Sequence, residues 1–578
     1  MPLSFTYRKN NVNNIMIKHT EDFSDIQNYL PLYKNFFVLN KENYNSITLH
    51  NNYNIAELVE KKNYNIYSCL LENNEKHDVF FKYSPLIDPI KYMAGKYEKN
   101  QDILSLPSFE DNFDENNFSL IDGFFSYLSS KLFETHNFIN GNIFYSQYLI
   151  NKKNFKVNLN EDIEYLMNSD YFENNIHNFN ICNEYFDNID KYFSKKNKKK
   201  ICIENNNNIE QNTIELTDIC DISEYENIKE INTLFPETEI PDSDFDFKSI
   251  CYEDNIIYKS KKNSNSNSKC KSKKSSSSSS SDLSCSSRSS NTKNSNDSND
   301  SNDSNDSNDM YSSTTDSEAE LHAFLPKFPV NMIGIECYED TLDDYLKNNT
   351  VCYDELKNIL LQLIFTLITY QQTFLFIHND LHTSNIMYKS IEKKYIYYKF
   401  NNTYYKVPTY GKIWKIIDYG RTIYTFNEQL MFSDSFSENG DASSQYNCKP
   451  YLNPNKKVVL PNFSFDLCRL GCSLYDNLFT ENEQPNINDL NEVEKLIYNW
   501  CLDDKNRNIL VKKNGEERYP DFKLYKMISR TVHNHVPKEA LKNQLFNDNI
   551  IKKKKIKDYS RIIDIDGMPL YFKNQDYW

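Results

Sequence analysis

The segment His378-Asn379-Asp380-Leu381-His382-Thr383-Ser384-Asn385 sets an aspartate five residues ahead of an asparagine. On a loop after a buried helix, such a pair can converge on one metal–phosphate site. The aspartate accepts the proton of an attacking hydroxyl, and the asparagine oxygen ligates Mg²⁺. That cation prefers hard oxygen ligands, so both residue types suit it. Further along, Lys415-Ile416-Ile417-Asp418-Tyr419-Gly420 runs from apolar residues to an aspartate, an aromatic and a glycine. This fits a strand that delivers a metal-binding carboxylate at its end, with glycine allowing a sharp turn. A third segment, Asp466-Leu467-Cys468-Arg469-Leu470-Gly471-Cys472-Ser473-Leu474-Tyr475, reads as a helix with one small residue for close packing. Polar loops and D-Y-G turns are common in so Asn/Asp-rich a chain, so the order and spacing of the three carry the argument.

These side chains need a scaffold. Ile66–Leu71 and Val79–Tyr83 read as strands, Phe118–Phe133 as a helix with Ile121, Phe124, Phe125, Leu128 and Leu132 on one face, and Ile143–Ile150 as a strand. Val330–Ile335 reads as a strand, Leu342–Leu346 as a short helix, and Tyr353–Phe374 as a long helix with Ile359, Leu360, Leu363, Ile364 and Leu367 as its core stripe. Short strands follow at Ile386–Tyr388, Tyr395–Phe400, Tyr404–Val407 and Ile413–Ile417, and the chain turns helical after Phe463. Residues 185–320 break the pattern. They lead through Lys261–Lys274 and the serine run Ser275–Ser281 to a Ser-Asn-Asp repeat from Ser295 to Asp309. Such sequence cannot bury enough apolar area to offset the entropy of ordering, so it is expected to be disordered.

The 578 residues are 39% hydrophobic and carry a formal net charge of −16. A sizeable core is affordable, and an acidic chain is a poor candidate for non-specific nucleic-acid binding. The 13 cysteines include no CxxC pair, which suits reduced thiols in an intracellular compartment. The polar N-terminus has no signal-peptide core. The most apolar run, Ile359–Ile377, is interrupted by Gln362, Thr366, Thr369, Gln371, Gln372 and Thr373, favouring a core helix over a membrane span. The expectation is a soluble intracellular protein.

Taken in order, the three segments resemble the catalytic loop, metal-binding D-F-G and central helix of eukaryotic-like protein kinases, in wording closest to divergent kinase-like proteins of large DNA viruses. Asp466, Leu470, Gly471, Cys472 and Tyr475 match that helix's pattern. The resemblance implies an α+β, two-lobed fold, with a small β-rich N-lobe carrying a long disordered insertion and a mostly helical C-lobe. It divides the chain into an N-terminal extension (1–40), the first part of the N-lobe (41–184), the insertion (185–320), the last N-lobe strand and hinge (321–338), the C-lobe (339–540) and a basic C-terminal extension (541–578). It also implies ATP and Mg²⁺ as cofactors. Asp380 would be the base, and Asn385 and Asp418 the metal ligands. Asp466 would accept hydrogen bonds from the catalytic-loop backbone. The backbone of Glu336 and Tyr338, in Met332–Tyr338, would meet adenine. Val79-Phe80-Phe81-Lys82 resembles the strand whose lysine clamps the phosphates, and either Asp122 or Glu134 would be the partner of Lys82. Acceptors would be Ser/Thr hydroxyls of unidentified proteins.

The chain departs from that family in several places. No glycine precedes Gly95, so a Gly-rich phosphate loop is missing before Lys82. Asn379 replaces the arginine of H-R-D, no A-P-E-like segment lies between Asp418 and Asp466, and His382 stands where many protein kinases carry lysine. A small-molecule phosphotransferase of the aminoglycoside- or choline-kinase kind and a non-catalytic pseudokinase scaffold are the alternatives.

Overall fold

Burial alternates along Lys76–Pro85. Val79, Phe81 and Tyr83 are buried on one face, while Phe80 and Lys82 turn to the other, the period of two that a strand imposes. The computed structural model describes residues 7–9, 21–97, 102–181, 321–479, 485–559 and 562–572. It is a mixed α/β structure with a curled antiparallel sheet in its N-terminal region and a mainly helical C-terminal region. The sheet has six strands: β1 (Phe23–Gln27), β2 (Ile55–Lys61), β3 (Ile66–Leu71), β4 (Lys76–Pro85), β5 (Phe144–Asn158) and β6 (His322–Glu336). Their spatial order is β1-β5-β6-β4-β3-β2. The segment read as a disordered insertion, 185–320, lies outside the described residues.

Helix α1 (Phe118–His136) packs on one face of this sheet. Asn117 caps its first turn, and Asn137, at φ 53°, ends it in the left-handed conformation. Gly123 permits the close approach of α1 to β5, because a Cβ there would sit 2.3 Å from the Gln147 amide nitrogen. Phe124, Phe125, Leu128 and Leu132 join a core shared with the helical region. The opposite sheet face builds a second core around Val79, Phe81, Ile150, Val330 and Met332.

The helical region contains α2 (Leu342–Asn348), α3 (Tyr353–Phe374), α4 (Phe465–Leu478), α5 (Glu492–Trp500) and α6 (Lys523–Thr531). Helix α3 is buried along nearly its whole length, and its polar side chains Thr366 and Thr369 are satisfied by donating to the carbonyls of Gln362 and Phe365 one turn back. Gly471 lets α4 meet α5, since a Cβ there would lie 2.7 Å from that of Trp500. Six short strands run between α3 and α4: β7 (Ile386–Ser390), β8 (Tyr395–Phe400), β9 (Thr403–Pro408), β10 (Lys412–Ile416), β11 (Ile423–Phe426) and β12 (Gln429–Phe432). The antiparallel pair β7–β10 sets Ile386 opposite Ile416. Among the described residues no helix is long and apolar enough to cross a membrane.

Both stretches read as terminal extensions contribute to the fold. The first supplies β1 and the buried Leu30, Leu32 and Tyr33. In the second, β13 (Ile550–Ile551) pairs with β9, and β14 (Ile562–Asp564) pairs in parallel with β8. Lys552–Lys555 are exposed, but Ile556, which follows them, is buried. Ile563, Ile565, Met568 and Tyr571 enter the main core, with Tyr571 stacked on Phe374 at 5.5 Å. Burying four such side chains contributes about 1.5–3 kcal/mol each, a sum comparable with the whole stability of a typical domain. Truncation after Ala540 should therefore abolish a cooperative melt in calorimetry. A truncated protein that melts within a few degrees of the full chain would show these contacts to be dispensable.

Candidate functional site

Lys82 leaves β4 on the face toward α1, where its ammonium meets two carboxylates. Its Nζ lies 2.6 Å from Asp122 Oδ2 of α1 and 2.8 Å from Asp418 Oδ1, just past β10. Burial pulls the lysine pKa down, but Asp122 and then Asp418 outweigh it and hold it above the usual value. Burial also pushes the Asp122 carboxyl up, against the opposing pull of Lys82. Asp122 Oδ1 accepts from Tyr419 N at 2.9 Å, so the same side chain fixes the residue after Asp418. Glu134 is elsewhere. It pairs with Lys131 at 2.6 Å and accepts from Asn52 N at 3.1 Å. The choice the sequence left open thus falls to Asp122.

Asp380 and Asn385 come together on the loop between α3 and β7. Asn385 Nδ2 donates to Asp380 O at 3.0 Å, and among the described residues its Oδ1 takes no hydrogen bond. The β7–β10 pairing brings this loop beside Asp418, with Ile417 N donating to Asn385 O at 3.0 Å and His378 Nε2 lying 2.9 Å from Ile417 O. Asp418 (φ 66°) and Asn379 (φ 65°) both adopt the left-handed region, a strained conformation for residues other than glycine that tends to cluster at functional sites. Asp466 of α4 accepts from the backbone N–H of His378 at 2.9 Å and of Asn379 at 3.0 Å.

One contributor, on a helix far along the chain, carried no readable signal in the sequence. Tyr525 of α6 donates to Asp380 Oδ1 at 2.7 Å and accepts from Arg469 Nε at 2.9 Å. Arg469 lies one turn beyond Asp466, so a single stretch of α4 reaches both the loop backbone and, through Tyr525, the carboxylate. Arg421, the residue after D-Y-G, lies 3.7 Å from Asp380 Oδ2 and 2.6 Å from Asp441. Burial alone would raise the Asp380 pKa, but Arg421, His382 and Arg469 outweigh it and hold the carboxyl at about 2. Asn379, in place of an arginine, orders the following segment with neutral groups. Its Oδ1 accepts from Tyr446 at 2.6 Å and Gln445 at 3.3 Å, and its Nδ2 donates to Arg421 O at 3.0 Å.

Buried Glu336 and half-buried Tyr338 form a separate set. Glu336 Oε1 accepts from Ile143 N at 2.8 Å and pairs with Lys415, and the Tyr338 hydroxyl donates to Asn142 Oδ1 at 2.8 Å. The Glu336 N–H is taken by Ile143 O at 3.1 Å, whereas the Tyr338 N–H has no protein partner among the described residues. The turn between β2 and β3 satisfies its own groups. Asn63 Oδ1 accepts from Asn65 N and Ile66 N, and Lys62 N and Asn63 N donate to Ile66 O. These amides are committed and form no phosphate cradle.

One carboxylate and one amide oxygen make a sparse set of hard donors. Among the described residues, no three His, Cys, Asp or Glu side chains gather to hold a metal. That is compatible with Mg²⁺, which keeps several waters and is often bound through one or two protein ligands plus substrate phosphates.

No protein-family model matches the chain. A stretch of 63 residues is 40% identical to a probable serine/threonine-protein kinase of Dictyostelium discoideum. The match covers 10% of this chain and 5% of that protein, so it bears on a small part of either.

The segment after Asp418 closes against α1. Asp434 accepts from Phe118 N at 2.8 Å and Asn117 Nδ2 at 3.2 Å, and its own N–H donates to Asn116 O at 2.9 Å. Burial pushes its carboxyl up to about 7, assisted by Asp114 and Asp441 and opposed by the two donors. The folded state therefore keeps a proton that the unfolded chain, near 3.8, has released. Stability from this group is full below about pH 4, falls as pH rises, and is lost by about pH 7. Asp434→Asn should remove that component from a plot of Tm against pH, and an unaltered slope would contradict the buried placement. The Lys82 pair is open to chemical test. Removing the Asp122 charge lowers the Lys82 pKa and exposes more free amine. Mass spectrometry should find Lys82 acylated at least about threefold faster in Asp122→Asn and unchanged in Glu134→Gln; the reverse pattern would reassign the partner.

Proposed function

We propose that the chain is an ATP-dependent protein kinase that transfers the γ-phosphate to Ser/Thr hydroxyls. The observation that carries this reading is the bridge Asp122–Lys82–Asp418, set beside an Asn385-anchored Asp380. Phosphoryl transfer asks little covalent chemistry of a protein and much positioning and charge, and this arrangement offers both. Lys82 would orient the α- and β-phosphates while Asp122 holds it in place. Asp418 and Asn385 would hold Mg²⁺, which would neutralise charge on the phosphates. The Tyr338 N–H would donate to adenine, and the Glu336 carbonyl would accept from it. Asp380, gripped at Oδ1 by Tyr525, would offer Oδ2 to the acceptor hydroxyl. The match to a probable serine/threonine-protein kinase supports a protein acceptor, as does the Asp466 contact with the loop backbone.

Asp380→Asn should lose phosphotransfer by at least about a hundredfold while keeping Mg–ATP binding in calorimetry. Asp418→Asn should lose both. Full turnover in Asp380→Asn would remove Asp380 from the role of base. A purified wild type that transfers no phosphate from labelled Mg–ATP to any protein or peptide would refute the activity itself.

A further inference from the structure

Helix α6 is two-sided. Leu524, Tyr525, Ile528 and Ser529 are buried, while Lys523 is exposed and Lys526 and Arg530 are half-buried. The last three stand three and four residues apart, the spacing of neighbours along a helix face. The inner side of the same helix touches the proposed base, with the Tyr525 hydroxyl 2.7 Å from Asp380. Arg530 joins the helix to the segment after Asp418, donating to Ser444 O at 2.8 Å and Gln445 O at 3.0 Å. Gln445 in turn donates to Asn379, the neighbour of Asp380. The cationic face is thereby fixed between the base and residues 441–460. Lys456, exposed on that segment, adds a fourth cation.

Among the described residues no carboxylate pairs with Lys456, Lys523, Lys526 or Arg530. Burial, followed by Arg530, Lys456 and Lys523, lowers the Lys526 pKa, as expected of like charges crowded together without a counter-ion. In a chain of net charge −16, a cluster of cations with no carboxylate partner forms a face suited to a bound anion.

We propose that this face of α6 docks carboxylates flanking the acceptor hydroxyl, so that the preferred acceptor is an acidic peptide. The inference rests on the proposed phosphotransfer for the position of that hydroxyl at Asp380. The face lies across one helix from Asp380, a helix is about 10–12 Å thick, and an extended peptide spans at most about 3.6 Å per residue, so acids roughly three to four residues from the acceptor would reach it. Nucleic acid fits less well, because the acidic body of the protein would repel a long polyanion.

Fluorescence anisotropy with the full chain tests this without requiring turnover. The probes are a labelled peptide with the sequence of residues 295–309, five Ser-Asn-Asp units, and the same peptide with every aspartate replaced by asparagine. The acidic peptide should bind at least about tenfold tighter at low salt, and the preference should shrink as salt rises. Lys523→Ala/Lys526→Ala should lose most of it, with an unchanged melting curve. Equal affinity for the two peptides would overturn the proposal, as would undiminished discrimination in the double variant. So would displacement of the peptide by a single-stranded oligonucleotide of matching charge at equal or lower concentration. Salt-sensitive, Lys523/Lys526-dependent binding in a protein that phosphorylates nothing would uphold the docking face and refute the kinase reading. Where phosphate is transferred, the variant should raise KM for the acidic peptide and leave kcat in place.

Discussion

One ammonium group between two buried carboxylates ties three distant parts of the chain. Lys82 comes from the sheet, Asp122 from the helix packed on it, and Asp418 from the turn after β10. Charges withdrawn from water in this way are costly, and their mutual attraction offsets the cost only with short contacts and satisfied remaining atoms. Asp122 meets that condition by also accepting from Tyr419 N. A shift of α1 along the sheet would leave a buried charge unpaired. The position of α1 is therefore coupled to the backbone of the turn that carries Asp418, and Gly123 supplies the clearance that the close fit requires.

A second organising centre is the first turn of α4. Asp466 satisfies two backbone donors of a loop containing a left-handed residue, and Arg469 reaches the Asp380 carboxylate through the Tyr525 hydroxyl. Burial pushes the Asp466 carboxyl up, and only His378 and the two backbone N–H donors favour its charged form. Each partner is itself buried, so the loop is held by hydrogen bonds that water cannot easily replace. Rigid support from a helix core is what a site needs to keep a carboxylate aimed.

The legible parts of the sequence were those whose signal is local. The 3.6-residue stripe of Tyr353–Phe374 matches the helix residue for residue, and the strand Tyr395–Phe400 has the limits its alternation implies. Asn385 and Asp418 flank one short pairing, in which Ile386 lies opposite Ile416, so their motifs are local to its two strands. The partner of Lys82 was not, since Asp122 and Glu134 sit on the same helix and only its docking against the sheet separates them. Tyr525 offered nothing to read, because a tyrosine in an amphipathic helix looks like any core aromatic until α6 is laid against the loop. The contribution of the terminal stretches to the core was not legible for a related reason. Their apolar residues are sparse and find partners far away in sequence, as Tyr571 does with Phe374.

Strands β5 and β6 pair from Phe144 opposite Ile335 out to Asn158 opposite His322, and an isolated bridge joins Ile181 to Ala323. Whatever the chain does between those two residues, it leaves and re-enters the fold at adjacent points. For a flexible connection, each doubling of length adds only about 0.6 kcal/mol of closure cost. A flexible segment joined between these two points would thus add closure cost only slowly with its length. A protein engineer choosing where to graft a reporter domain would look to the neighbouring ends Ile181 and Ala323, which already sit side by side.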